Sequence, residues 1–383
     1  MGDAQRLRPD EQLRLAREQF EEGRDFTVAV EEEFAVLDPT TLSMTNRFED
    51  LFAAAEGTEL EGHLVGELIS SEVEIRTGRS ETFAEAAQTM AERRRQLAEL
   101  AGRLGIALCA TGTHPWSPWQ EQNVIDTPHY RRVEEGLRYV AWRNNSFGIH
   151  VHVGIRGADR AIRVCNALRS HLPDVLALSA SSPFTEGRYT YLHSTRTEIF
   201  TRMFPRCGVP DLFDDWADYE RYVCFLYATE SIVEHTQVWW SVRPHLAFPT
   251  VEIRICDGQP ELGEAQALSA FLYALTARIA RAVDEGAPLP AYPNRLIEEN
   301  LWRATRYGLP GDLIDLRTGR VRPARESLAE LMEWTLPVAE ELGVATLLAL
   351  PGENAAERQI ARFEAGETLE EIYAAEVMEP ARV

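Results

Sequence analysis

Residues 26–37 read FTVAVEEEFAVL. Val28, Val30, Phe34 and Val36 fall on alternate positions, the period of a half-buried strand, and Asp38-Pro39 ends the run. Side chains alternate faces along such a strand. Glu31 and Glu33 therefore point away from the apolar set, and Glu32 shares its side. Two carboxylates on one face of a buried strand are costly unless something positive neutralises them. A hard divalent cation does so through oxygen ligands. A solvated edge-strand face is the plainer account of the same residues.

Three further stretches repeat the pattern. Residues 67–77 read ELISSEVEIRT. A strand there gives Glu72, Glu74 and Arg76 one parity, and a turn or bulge before it would bring Glu67 to the same place. An exposed strand with cross-strand salt bridges is the alternative. Residues 146–155 read SFGIHVHVGI, with His150 and His152 on one face and Ile149, Val151 and Val153 on the other. Same-face imidazoles can ligate a metal or contact a nucleotide, and such pairs also occur in zinc hydrolases. Residues 249–257 read PTVEIRICD, with Glu252 and Arg254 on one face. They read as an internal ion pair or as a metal ligand beside a phosphate clamp, since a guanidinium suits forked contacts with phosphoryl oxygens. The stretch from Ser181-Ser182 through Gly187-Arg188 to Arg196 has the composition of a phosphate loop or of an ordinary surface loop. His114, after Thr111-Gly112-Thr113, stands between the same two readings. Trp239 and Trp240 read as core.

Helical periods fall between these strands. Residues 10–23 read as a helix, as does Ser80 to Leu104, where Phe83, Ala87, Met90 and Leu97 recur near a helical period. Ile106 to Thr111 and Gln237 to Val242 read as strands, and Ala158 to Leu178 as mostly helix. From Glu264 onward the chain reads as mostly helical, with breaks at 288–293 and Pro351-Gly352. The strand connections vary widely in length. That argues against a regular βα barrel and for an α+β fold, with helices packed on one side of a mixed sheet. No repeat or Ser/Gly linker divides the sequence, so residues 1–383 read as a single catalytic domain.

The net charge is −22, which repels nucleic-acid phosphates and anionic membranes; neither is an expected partner. No apolar window long enough to span a bilayer is present. Met1 to Arg24 is charged and helix-prone and lacks the marks of a signal peptide, so export is not expected. The cysteines number five, with none in a Cys-x-x-Cys pair, which fits a reducing cytoplasm. Cys256 reads as a small buried apolar residue. No Gly-x-x-x-x-Gly-Lys, Gly-x-Gly-x-x-Gly or Gly-x-Ser-x-Gly motif occurs, so nucleotide use would rest on metals and arginines.

Taken in order, the Glu-x-Glu strand, the second glutamate group, Gly-Ile-His-Val-His and Val-Glu-Ile-Arg resemble the catalytic sheet of glutamine-synthetase-like enzymes. The closer resemblance is to the carboxylate–amine ligases called glutamate–cysteine ligase type 2, and it extends from about residue 25 to 375. It implies a curved, mainly antiparallel sheet with helices on its convex side and ATP with Mg2+ or Mn2+ on its concave face. It implies one metal at Glu33, Glu67 and Glu74 and another at Glu31, His150 and Glu252. Arg254 would be the catalytic contact to the transferring phosphate. His152, Arg188 and Arg196 would bind the nucleotide. The implied substrates are a small carboxylate and an amine, joined through an acyl phosphate with release of ADP and phosphate. Glutamate and cysteine are the pair the family is named for. The resemblance also implies a homodimer. Two other readings stay open: a zinc hydrolase built on His150 and His152, and a nucleotide-binding protein without turnover.

Overall fold

The computed structural model describes residues 8–378, so the first seven residues of the charged N-terminal stretch lie outside it. The first half of the chain forms α1 (Pro9–Glu22), β1 (Val28–Leu37), α2 (Phe48–Ala55), β2 (Leu64–Val65), β3 (Glu72–Arg76), α3 (Phe83–Arg103), β4 (Ala107–Cys109), α4 (Pro128–Leu137), α5 (Tyr139–Trp142), β5 (Ile149–Gly154), α6 (Ala158–Leu168) and α7 (Leu172–Ser179). It continues with β6 (Phe184–Thr185), β7 (Arg188–Tyr189), β8 (Cys207–Gly208), α8 (Trp216–Ala228), β9 (Trp239–Trp240), β10 (Val242–Pro244) and β11 (Thr250–Ile253). The remainder is α9 (Leu262–Asp284), α10 (Asn294–Tyr307), β12 (Asp312–Asp315), β13 (Arg320–Pro323), α11 (Ala324–Glu341), α12 (Ala355–Glu364) and α13 (Leu369–Glu376).

The main sheet runs β10-β11-β5-β1-β3-β2, with β4 also paired to β1, and every pairing in it is antiparallel. The alternation in β1 decides which face packs. Val28 and Val30 join Val151, Val153, Val251 and Ile253 against α1, α6 and α9. Phe34 and Val36 join Val73 and Ile75 against Leu97 of α3. Each such side chain taken from water contributes about 1.5–3 kcal/mol. Helices thus cover one face of the sheet, as the α+β reading expects, and the glutamate face is left to a cleft.

Glu32 is the carboxylate with the wrong parity, and the protein neutralises it internally. Arg94 of α3 donates from Nη2 to Glu32 Oε1 at 2.6 Å and from Nε at 3.1 Å. The same guanidinium donates to the carbonyls of Gln259 at 2.8 Å and Pro260 at 2.9 Å. A capping box fixes the start of α3, Thr82 Oγ1 accepting from Glu85 N and Glu85 Oε2 from Thr82 N.

Three boundaries differ from the sequence reading. Residues 237–242 do not form one strand: β9 pairs in parallel with β8, and β10 turns into the main sheet. The break falls at Ser241, whose N–H donates to Gly208 O at 2.8 Å. The helical C-terminal half contains the hairpin β12–β13, closed by Asp315 Oδ1 accepting from Arg317 N and Thr318 N, with Gly319 at φ 71°. That is turn chemistry the helical period hides. Helices α2, α4 and α8 also form in stretches read without elements. No helix among the described residues is long and apolar enough to cross a membrane.

Candidate active site

Strand register sets the glutamate face out in rungs. On the first rung Arg243, Glu252 and His152 lie side by side across β10, β11 and β5. On the second, His150, Glu31 and Arg76 lie across β5, β1 and β3. On the third, Glu33 faces Glu74. The turn before β3, with Glu72 N donating to Ile69 O at 3.2 Å, returns Glu67 to this end of the sheet. All of these residues except His152 line a cavity of about 420 Å³ together with Glu72, Arg196 and Arg254. One wall is aromatic, from Tyr130, Phe200, Phe204 and Trp239. His129 of α4 is also on the lining, and its Nδ1 meets Glu234 Oε1 at 2.7 Å.

The ligand atoms gather into three groups, each within 4.8 Å: Glu33–Glu67–Glu74, Glu31–Glu74–His150 and Glu31–His152–Glu252. The first is the set implied by resemblance. The second implied set, Glu31–His150–Glu252, is rearranged. Here His152 stands with Glu31 and Glu252, and His150 stands with Glu31 and Glu74. The cause is Arg254. Its Nη1 is hydrogen-bonded to Glu252 Oε1 and lies 3.4 Å from His150 Nδ1, between the two. No group among the described residues combines His150 with His152. The two-histidine zinc reading therefore has no donor set.

The cleft is unevenly neutralised. Burial pushes the Glu252 carboxyl up, but Arg243, Arg254 and His152 outweigh it and hold the group well below its ordinary range. Arg243 Nε donates to Glu252 Oε2 at 2.6 Å. Glu31 behaves likewise: burial is outweighed by His152, His150 and Arg76. At the other end burial and the Glu33 charge raise Glu67 to about 7. Burial, with Glu31 and Glu67 beside it, raises Glu74 well above its ordinary range despite Arg76. Glu72 rises for the same reasons, from burial and the charges of Glu33 and Glu67. Glu72 Oε2, His150 Nε2 and His152 Nε2 are buried with no hydrogen-bond partner. Those nitrogens lie 3.5 Å from Glu33 Oε1 and 3.6 Å from Glu31 Oε2, respectively, and buried carboxylates repelling one another beside such imidazoles are a donor set that divalent cations fit.

The profile of glutamate–cysteine ligase family 2 matches residues 27–372. The chain belongs to that family. A provisionally named glutamate–cysteine ligase 2-3 of Rubrobacter xylanophilus is 41% identical over 318 residues, 83% of this chain and 85% of the relative. A provisionally named glutamate–cysteine ligase 2 of Sorangium cellulosum is 40% identical over 319 residues, 83% of this chain and 85% of the relative. Among solved structures, glutamate–cysteine ligase of Francisella tularensis in complex with AMP matches with a TM-score of 0.65 at 13% identity, covering 92% of this chain and 88% of that one. A bifunctional glutathione synthetase of Pasteurella multocida matches with a TM-score of 0.64 at 12% identity, covering 95% of this chain and 52% of that one. Family membership makes this family 2 chain an ATP-dependent ligase, and the solved structures show the fold it shares.

Within this family 2 chain, Arg196 and Arg188 part company. Arg196 is buried against the cleft, its guanidinium over the Phe200 ring at 5.5 Å and donating to Ile255 O at 3.2 Å. Gly148 makes that possible, because a Cβ there would collide with the guanidinium. Arg188 lies exposed on the β6–β7 hairpin, outside the cleft lining. His114 is structural. Its Nδ1 accepts from Ser117 N at 2.9 Å, its Nε2 meets Leu42 O at 2.8 Å, and burial lowers its pKa to about 4. Cys256 is a buried apolar residue as expected, and Trp240 is core, whereas Trp239 faces the cleft. The sequence reading missed Arg243. A strand carried one residue beyond Val242 would have set it opposite Glu252.

Proposed function

We propose that this chain uses ATP to join a small carboxylate to an amine, with glutamate and cysteine as the pair its family name points to. The observation that carries the reading is the buried carboxylate end of the cleft, flanked by two arginines whose Nε atoms have no partner. A carboxylate is a poor acyl donor. Phosphorylation of its oxygen by ATP, with ADP leaving, gives an acyl phosphate. The amine nitrogen then attacks the acyl carbon, and the carbon–oxygen bond to phosphate breaks. Most of the barrier is charge on the phosphoryl oxygens.

Arg254 contacts the transferring phosphoryl group, and Arg196 binds the nucleotide phosphates from across Gly148. Glu33, Glu67 and Glu74 hold one divalent cation. Glu31, His152 and Glu252 hold another, with His152 also next to the nucleotide and His150 standing beside Glu31 and Glu74. Mg2+ or Mn2+ supplies charge neutralisation there. Arg243 and Arg76 keep Glu252 and Glu31 ionised for that task. The aromatic wall excludes water from the acyl phosphate. Residues 25–375 act as one catalytic unit, in a reducing cytoplasm that suits five free cysteines, and the chain pairs as a homodimer.

The test is ADP release with magnesium across a panel of carboxylates and amines. ADP should form only when both partners are present. No ADP with any pair overturns the ligase reading; saturable ATP binding without turnover would then favour a nucleotide sensor. Sedimentation equilibrium reads the dimer directly.

A further inference from the structure

Asp257 is a fully buried carboxylate that the proposed chemistry does not use. It does not line the cleft, and it belongs to none of the three ligand groups. Its two oxygens are nevertheless fully engaged. Oδ2 accepts from Ser181 N at 2.9 Å and from Ser182 Oγ at 2.6 Å, and Oδ1 accepts from Ser194 Oγ at 2.8 Å. Each serine passes the restraint on. Ser182 Oγ accepts from Arg196 N at 3.1 Å, and Ser194 Oγ accepts from Thr197 N at 3.3 Å. Arg196 is thus held on both sides of its own backbone by one carboxylate acting through two hydroxyls.

The fit around this carboxylate is close. Gly112 passes it with no room for a side chain, since a Cβ there would lie 2.7 Å from Asp257 Cγ. Gly112 N donates to Ser181 Oγ at 2.9 Å, which fixes the same turn from its other side. The guanidinium end of Arg196 is set by the segment after β11 that carries Asp257. It donates to the carbonyl of Ile255 at 3.2 Å and lies 3.4 Å from that of Arg254. Burial raises the Asp257 carboxyl, and the Arg196 charge and the three donors oppose the rise.

We infer that Asp257 is a positioning residue: through Ser182 and Ser194 it sets the register of Arg196 over Gly148, so that both cleft arginines are referenced to the one segment, residues 254–257, that leaves β11. The inference rests on the reading of Arg196 as a phosphate contact. An asparagine at 257 keeps an oxygen for Ser181 and Ser182. It loses the charge and turns an amide NH2 toward Ser194 Oγ, which already accepts from Thr197. An alanine at 182 leaves Asp257 in place and removes only the link to Arg196 N.

The test is a double-mutant cycle on the full chain, with kcat and KM for ATP read from ADP release. Asp257→Asn and Ser182→Ala should each lower kcat by about tenfold, less than the roughly hundredfold or more that outright removal of such a donor costs. In an Arg196→Ala background neither should lower it further by more than about twofold, because the route through Arg196 is already gone. Losses that multiply in that background overturn the inference, as does full kcat in both variants. If Asp257→Asn does not fold, Ser182→Ala decides alone. Wild-type protein that releases no ADP with any carboxylate and amine marks a different failure: the ligase reading falls, and Arg196 has no phosphate to meet.

Discussion

Glu252 on β11 and Glu74 on β3 face one cleft and are equally buried, each 1% exposed. Glu252 is held well below the ordinary carboxylate range, by Arg243, Arg254 and His152 against the opposing effect of burial. Glu74 is pushed well above that range by burial and by Glu31 and Glu67. At one end of the cleft two arginines and a histidine meet Glu252; at the other Arg76, 2.5 Å from Glu74 Oε1, is outweighed by burial and by the neighbouring carboxylates. Burying a charge is tolerated when it is paired and expensive when it is not. The under-neutralised end is where an external cation has most to gain. The paired end is where the geometry of ligands and arginines is fixed in advance.

The largest expected effects come from treating the two glutamates alike. Glu252→Gln and Glu74→Gln should each lower ADP formation by about a hundredfold or more. Glu31→Gln belongs with them and should nearly abolish turnover. Metal-free stability should separate the pair. Glu252→Gln leaves Arg243 and Arg254 buried without their carboxylate and should cost about 3 kcal/mol. Glu74→Gln gives up the ion pair with Arg76 but relieves the burial and repulsion that outweigh it, and should leave the metal-free protein as stable or more so. Denaturant titration in EDTA reads both, and equal destabilisation would erase the contrast.

A pH series sharpens it. Glu67 titrates at about 7 in the folded chain and near 4.5 when unfolded. The folded state therefore holds the extra proton between those values. That stabilisation is full below about 4.5 and is lost as pH rises through about 7. Glu67→Gln should consequently gain on wild type between pH 5 and pH 8 in EDTA. Histidine titrations cancel in the difference. Saturating Mg2+ should reverse the order, stabilising wild type by about 2.7 kcal/mol at a hundred times Kd and Glu67→Gln by less. A difference that does not change with pH would remove the case for a cation deficit.

Gly148→Ala sets a side chain against the Arg196 guanidinium. It should lower kcat about tenfold with little change in KM for the amine, the loss being one of orientation. Arg188→Ala should change nothing in the ADP assay beyond about twofold, and stability by no more than about 0.5 kcal/mol. A large loss there would mean that the β6–β7 hairpin closes on the cleft.

These same residues show how far the sequence could be read. Period-two alternation in β1, β3, β5 and β11 was legible, because one face of each strand is buried and a slip of one residue would invert it. That made Glu31 with Glu33, His150 with His152, and Glu252 with Arg254 readable as shared faces strand by strand; the family resemblance joined them, with Glu74, into one set. Glu32 was readable on the back. Its partner Arg94 lies 62 residues away on α3, a contact no local period announces. Arg188 and Arg196 share one loop composition, and only packing against Asp257 and Gly148 tells them apart. Arg243 was lost because Pro244, which sits in β10, reads as a strand breaker. The exchange of His150 for His152 beside Glu252 depends on where the Arg254 side chain lies. Strand parity cannot supply that.

The central claim is that the under-neutralised end of the cleft takes a divalent cation. Crystals grown with Mn2+ and ATP test it most directly, through anomalous scattering at the manganese edge. The account expects a peak bounded by Glu33, Glu67 and Glu74, lost in Glu74→Gln. A cleft with no peak there, or metal bound only between His150 and His152, would contradict it.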